Sequence, residues 1–396
     1  MTEVILLICI GLVVYTYVGY GLLVWLLIRL RGRRPDPAAA HPPYQPDVTL
    51  IIPAYNERAC LPAKVANSLA QDYPRERLHL LFVTEGSTDG SAEYLRTHYG
   101  ASVAVLDGRE RLGKVAAMNR AMQRVTTPIA IFTDANTHLN SEAVSRLVAH
   151  FRDPAVGAVA GEKRIQTDDS ESAAGAGEGL YWRYESQLKR WDAELQTIVG
   201  AAGELFAVRT ALYEPVETDT ILDDFIISLR IAGRGYRVAY APDAYALERP
   251  SFSILDEQKR KVRIAAGGFQ SIVRLRHLLN PFRYGLLTFE YVSHRVMRWA
   301  VAPICLLLIV GLNALLAVRS RGWLLLLGLQ LLFYGAAWLG YRLEKRQVRW
   351  KLLFVPFYFT FMNACALAGL IRYLRGNQSG VWEKARRADE VALKSN

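Results

Sequence analysis

Cysteine is scarce in this chain and widely scattered: Cys9, Cys305 and Cys365 fall inside long apolar runs, and Cys60 alone lies in the polar part. No two form a C-x-x-C pair, which argues against a disulfide framework and against structural zinc. No internal repeat is present. Basic residues are missing ahead of the first apolar run, Val4 to Ile28, and no small-residue cleavage site follows it. The run therefore reads as a retained anchor rather than a signal peptide. The net charge of +11 comes with no recognisable nucleic-acid module, so basicity does not point to DNA or RNA.

What the chain has in abundance is apolar length. Trp299 to Val318, Gly322 to Tyr341 and Leu352 to Ile371 carry no charge, and each reaches the ~20 residues a helix needs to span a bilayer. Arg29, Arg31, Arg33 and Arg34 follow the first run, and Arg342, Lys345, Arg346, Arg349 and Lys351 separate the last two. The positive-inside rule then puts the N-terminus outside and the domain after the arginines in the cytosol, in a multi-pass plasma-membrane protein. Three full spans after a cytosolic domain put the C-terminus outside, against the basic residues Arg372, Arg375, Lys384, Arg386 and Arg387, so either the tail is outside despite the rule or one C-terminal segment is re-entrant. The expected organisation is an anchor over 1–30, a Pro-rich linker over 31–47, a cytosolic domain over 48–276, interfacial amphipathic helices over 277–298, three membrane segments over 299–374 and a basic tail over 375–396.

Within the cytosolic part, short apolar runs alternate with helical spacing. Strands are expected at Val48–Ile52, Leu78–Val83, Ser102–Leu106, Pro128–Phe132 and Val156–Ala160. Helices are expected at Ala59–Ala70, Asp89–Tyr99, Lys114–Arg124 and Ser141–Phe151. Alternation of this kind predicts an α/β fold with a mostly parallel sheet covered by helices on both faces. Asp168 to Gly179, polar and small, reads as a loop, and Leu222–Ala232 and Ile254–Arg276 as further helices.

Carboxylates recur where these strands end, at the edge where parallel sheets bind ligands. Tyr55 and Glu57 follow the first strand; Tyr55 can stack on a base and Glu57 can accept from ribose hydroxyls. An ordinary strand-to-helix turn explains that segment equally well. Glu85 ends the second strand, before Ser87 and Thr88, either of which can cap the next helix, and Asp89, which favours its dipole. Gly108, Gly113 and Lys114 imitate a phosphate-binding P-loop, but Val115 stands where Ser or Thr is required, and charged residues fill the loop. An ATPase is therefore set aside, while Lys114 at a helix start remains a good diphosphate contact. Asp134-Ala135-Asn136 offers two oxygen donors spaced to hold Mg²⁺ or Mn²⁺, or else an Asx turn. Asp223 and Asp224 open a helix, where one can be the general base for a sugar hydroxyl or both can simply favour the helix dipole.

Taken together and in this order, these motifs resemble the inverting, membrane-bound glycosyltransferases of family 2, whose catalytic domain has the GT-A fold. The resemblance covers roughly Val48 to Arg276 and extends to the C-terminal spans. It is nearest to bacterial β-glycan synthases such as those making poly-N-acetylglucosamine, chitooligosaccharide and hyaluronan. It implies transfer of a sugar from a UDP-sugar, UDP-N-acetylglucosamine or UDP-glucose first, to a growing β-linked glycan, with Mg²⁺ or Mn²⁺. By position it implies nucleoside contacts at Tyr55 and Glu57, uracil reading at Glu85, and diphosphate contacts at Lys114 and Arg263. It also implies metal ligation at Asp134 and Asn136, an acceptor lining of Gly203, Glu204 and Arg209, and Asp224 as base with Asp223 before it.

Three departures stand out. Glu85 replaces the family's Asp, Asn136 gives the metal a neutral oxygen, and the Q-x-x-R-W signature of processive synthases is lost. In one register Gln258 is kept but Lys261 and Val262 replace Arg and Trp; in the other Arg263 is kept but Arg260 and Ile264 replace Gln and Trp. Two further readings stay open. In one the acceptor is a lipid, polyprenyl phosphate or a glycolipid. In the other the domain is an inactive scaffold or nucleotide sensor. A homo-oligomer or an export partner is compatible with each.

Overall fold

The computed structural model describes residues 1–32, 43–165, 172–248, 254–345 and 351–376. Most of the expected linker and basic tail, and the link between the last two membrane segments, lie outside these residues. The strands are β1 (Val48–Ala54), β2 (Leu78–Glu85), β3 (Ala104–Gly108), β4 (Ile129–Thr133), β5 (His138–Leu139), β6 (Val156–Ile165), β7 (Leu205–Arg209) and β8 (Arg237–Glu248). The helices are α1 (Thr2–Val14), α2 (Tyr20–Arg31), α3 (Leu61–Leu69), α4 (Ser91–Tyr99), α5 (Lys114–Met122), α6 (Ala143–Ala149), α7 (Ser172–Leu195), α8 (Asp223–Gly233), α9 (Ile254–Arg274), α10 (Pro281–Tyr284), α11 (Leu286–Tyr291), α12 (Ala302–Ala317), α13 (Arg321–Lys345) and α14 (Lys351–Leu374).

All eight strands form one sheet in the order β3-β2-β1-β4-β7-β6-β8-β5. The first four run parallel. The central two, β1 and β4, are largely apolar without alternation because both faces are covered: Val48, Leu50, Ile51 and Ile52 in β1 are all buried. The sheet is mostly parallel, as expected, but β7 runs antiparallel to both β4 and β6, and β5 antiparallel to β8. The reversal matters for the site. Pairing of Thr133 with Leu205 sets the carboxyl end of β4 beside the residues leading into β7, so Asp134 and Gly203-Glu204 share one edge.

Two local expectations are corrected. Residues 172–179 belong to α7 rather than to a loop; Ala173, Ala174 and Ala176 are strong helix formers whose preference outweighs the neighbouring glycines. The cap of α4 is neither Ser87 nor Thr88. Asp89 Oδ1 accepts the Ser91 N–H at 3.0 Å and the helix begins there.

Four helical stretches have the length and apolarity to cross a membrane: Thr2–Arg31, Leu286–Ala317, Arg321–Glu344 and Leu352–Leu374. The second absorbs the segment Gly285–Trp299, expected to lie along a membrane surface. From Leu286 the helix runs through a wide-turn stretch, Val292–Val301, straight into α12. Its polar side faces protein. His294 and Arg298 are buried, and Glu185 on α7 is the hub they meet. Arg298 donates to Glu185 Oε2 at 2.6 Å and Arg295 to Glu185 Oε1 at 2.9 Å. His294 Nδ1 lies 2.6 Å from Asp192 Oδ2, whose other oxygen accepts from the Tyr20 hydroxyl at 2.5 Å. Burial alone would raise the Glu185 carboxyl, but Arg295, His294 and Arg298 hold it well below its usual range. An apolar cluster of Tyr20, Val24, Ile28, Leu188 and Leu195 packs around this chain of charges.

Candidate active site

Three loops at the carboxyl edge of β1, β2 and β3 form one side of the site. They are laced by side chains. Asn56 Oδ1 accepts the Thr88 N–H at 2.8 Å, Ser87 Oγ accepts the Asn56 N–H at 3.1 Å, and Asp89 Oδ2 accepts the Arg58 N–H at 2.9 Å. Asn56 holds the left-handed backbone at φ 52°, which asparagine tolerates better than most side chains. The Tyr55 ring faces the Arg111 guanidinium at 4.2 Å. Arg111 can come this close because Gly86 sits beneath its backbone. A Cβ at Gly86 would lie 2.7 Å from the Arg111 nitrogen. Glu57 accepts from the Cys60 thiol at 3.3 Å. Glu85, 5% exposed, is ion-paired with Arg120 at 2.8 Å. Burial pushes the Glu85 carboxyl up, against the pull of Arg120.

The other side is built from α5, the end of β4, the entry to β7 and the start of α8. Lys114 Nζ donates to Asp134 Oδ1 at 2.6 Å and to the Gly203 carbonyl at 3.3 Å. Gly203 in turn backs onto Asp224: a Cβ there would lie 3.4 Å from Asp224 Oδ2 and 3.8 Å from Lys114 Nζ. Lys114, Asp134, Gly203 and Asp224, chosen from sequence as candidates, therefore meet. Burial first, then the adjacent Asp223 carboxylate, push Asp224 up to about 8, against the opposing pull of Lys114. Burial would lower the Lys114 ammonium, but Asp134, Asp223 and Asp224 keep it above its usual range. Asp223 is buried, and among the described residues its Oδ2 has no hydrogen-bond partner. Asn136 sits two residues past Asp134 on the same turn, half-buried.

Glu204 is held differently. Its Oε1 accepts from Lys163 on β6 at 2.5 Å, and Lys163 also bonds Glu248 at the end of β8. Burial would raise Glu204, yet Lys163 and, more weakly, Arg260 bring it down to about 2. Arg260 on α9 pairs with Glu257 at 3.0 Å and sits in the field of Glu248 and Glu204. Arg263 lies half-buried on the same helix.

Arg209 does not join the others. It pairs in register with Ile129, at the far end of β4 from Asp134, about 16 Å of strand away. Its guanidinium donates to the carbonyls of Val156, Phe151 and Asp153 at 2.8, 2.7 and 2.9 Å. That is a structural brace between β7 and the turn before β6.

Lys64, Arg120 and Lys163 escaped the sequence reading. Lys64 carries a visible signal, because it falls on the buried stripe of α3 with Leu61, Val65 and Ser68. Lys163 was hidden by ending β6 at Ala160, five residues short of its actual end at Ile165.

Comparison with known proteins agrees with this architecture. Residues 46–265 match the family described as "Glycosyltransferase like family 2". The poly-beta-1,6-N-acetyl-D-glucosamine synthase of Staphylococcus aureus is 27% identical over 237 residues, 57% of this chain and 56% of that protein. Its Staphylococcus epidermidis counterpart is 22% identical over 281 residues, 67% of this chain and 66% of that one. The chain thus aligns with little more than half to two thirds of these relatives. Among solved structures, the mannosyltransferase PcManGT of Pyrobaculum calidifontis, in complex with GDP-Man and Mn²⁺, superposes with a TM-score of 0.70 at 26% identity. That superposition covers 94% of this chain and 99% of that one.

Proposed function

The chain belongs to the glycosyltransferase-like family 2, and from that membership we propose that it is a membrane-embedded inverting transferase. It moves a sugar from a UDP-sugar onto a glycan acceptor, with the catalytic domain on the cytosolic face of the plasma membrane. The observation that carries this reading is the convergence of Lys114, Asp134, Gly203 and Asp224 on one sheet edge.

In this reading Tyr55, Glu57 and Glu85 border the nucleoside, and Lys114 faces the diphosphate with Arg263 as a second cation. An acceptor hydroxyl beside Gly203 and Glu204 attacks the anomeric carbon from the side opposite the nucleotide. The new bond forms from the hydroxyl oxygen. The bond from the anomeric carbon to the phosphate oxygen breaks, its electron pair leaves with the nucleoside diphosphate, and the hydroxyl proton passes to Asp224. A base of raised pKa suits that task, because its proton affinity is high while part of the population remains ionised near neutrality. The charge of the adjacent Asp223, whose Oδ2 has no hydrogen-bond partner among the described residues, keeps that affinity high.

The donor set also fits a divalent cation. Asp134 and Asn136 present hard oxygens, which Mg²⁺ and Mn²⁺ prefer, and a cationic group, Lys114, already stands on Asp134. Asp134 and Asn136 would hold the ion, which when bound would offset negative charge on the departing diphosphate.

A second donor, GDP-mannose, is favoured by the likeness to PcManGT, which extends over the membrane helices. The test is nucleotide release by the detergent-purified protein with a panel of UDP-sugars and GDP-mannose, beside Asp224→Asn. Donor-specific release that falls about 10³-fold in the variant, with nucleotide binding retained, supports the reading. Equal release by both proteins refutes Asp224 as base. Absence of release with every donor and with both saccharide and lipid acceptors refutes the transferase reading and favours a scaffold.

A further inference from the structure

Lysine is among the residues least often fully buried, and when buried it is usually ion-paired. Lys64 is 2% exposed, and no carboxylate lies within ion-pairing distance of it among the described residues. Its ammonium is spent on a single turn. Nζ donates to Thr133 Oγ1 at 3.1 Å, to the Thr137 carbonyl at 2.9 Å and to Thr137 Oγ1 at 3.3 Å. Those are the three bonds an ammonium can give, and they go to both ends of the segment that carries Asp134 and Asn136. The two threonines relay the grip. Thr137 Oγ1 donates to the Asp134 carbonyl at 2.9 Å, and Thr133 Oγ1 to the Glu204 carbonyl at 3.0 Å. One turn further along α3, Asn67 accepts the Leu139 N–H at 2.8 Å and donates to its carbonyl at 2.8 Å. Helix α3 therefore carries the whole stretch from Thr133 to Leu139.

We infer that Lys64 is a positioning residue for the cation-binding turn, fixing Asp134 and Asn136 in register with Glu204 from beneath; this rests on the nucleotide-sugar reading above. Two physical roles make opposite predictions. If Lys64 acts through its charge, it repels a divalent ion bound above it, and removing it tightens binding. If it acts by holding the turn, removing it loosens binding, as loss of groups supporting metal ligands generally does.

The experiment measures Mn²⁺ binding to the full-length protein in detergent with UDP or GDP present, from the electron paramagnetic resonance signal of free Mn²⁺. Wild type, Lys64→Met and Thr137→Val are compared, and each is checked for a cooperative unfolding transition. The expected result is Mn²⁺ affinity weakened about 10-fold or more in Lys64→Met and in the same direction in Thr137→Val. Turnover should recover at saturating Mn²⁺, so that the defect sits in the activation constant rather than in kcat. Affinity equal to or tighter than wild type in Lys64→Met overturns the inference. If Lys64→Met does not fold, Thr137→Val decides: weaker binding supports the inference and unchanged binding overturns it. A wild type that binds no Mn²⁺ with either nucleotide overturns the nucleotide-sugar reading itself, and the inference with it.

Discussion

Replacing Lys163 by Met should destabilise the sheet domain in a way that depends on pH. Lys163 is buried between Glu204, at 2.5 Å, and Glu248. The drop of Glu204 from the usual 4.5 to about 2 corresponds to about 3 kcal/mol. Removing the partner of buried carboxylates typically costs about 3–5 kcal/mol, and Glu204 and Glu248, 19% and 20% exposed, fall at the low end of that range. For a domain of this size that lowers Tm by roughly 6–15 °C. The sign follows from linkage. Glu204 is depressed, so its contribution is present above its unfolded value and lost as pH falls toward about 2. In Lys163→Met the two carboxylates ionise only at a cost, and acid relieves them. The gap between wild type and variant is therefore widest near pH 7 and narrows below about pH 5. Thermal unfolding of both proteins in detergent, followed by intrinsic fluorescence across that range, checks it. A variant as stable as wild type at pH 7, or a gap that widens on acidification, refutes the reasoning.

Asp224 is raised to about 8 and must be ionised to accept a proton, so kcat/KM for nucleotide release should rise with pH through that region in the free enzyme; a profile flat from about pH 7 to 9 would contradict the assignment. Arg209→Met should lower Tm, because it removes three hydrogen bonds to carbonyls at about 1 kcal/mol each, while the KM for acceptor stays unchanged. A raised acceptor KM with unchanged Tm would return Arg209 to the acceptor site.

The parallel half of the sheet was readable because its strands are unbroken apolar runs separated by helical spacing, a pattern that survives any tertiary context. β7 was not, either as a strand or in its direction. A five-residue apolar strand reads the same in either direction, and only its partners, β4 and β6, decide. The same limit explains the site. Lys114, Asp134 and Asp224 announce themselves because strand ends and helix starts are visible in sequence. Arg209 misled because its spacing from Gly203 says nothing about which end of β7 it occupies. Lys64 and Lys163 were missed for a further reason: a lysine in a polar-looking segment reads as surface, and only its place on a buried stripe shows otherwise.

The chain of charges through Tyr20, Asp192, His294, Glu185 and Arg298 bears on where this protein can be divided. The segment matched to the family ends at residue 265, which invites a cut there. Such a cut would take His294, Arg295 and Arg298 away from Glu185 and Asp192, stripping two deeply buried acids on α7 of the counter-charges they meet here. The smallest part able to stand alone therefore extends past the sheet to Arg298 and back to Tyr20. The catalytic half is not a bead hung from a membrane stalk; its autonomy ends where its charges do.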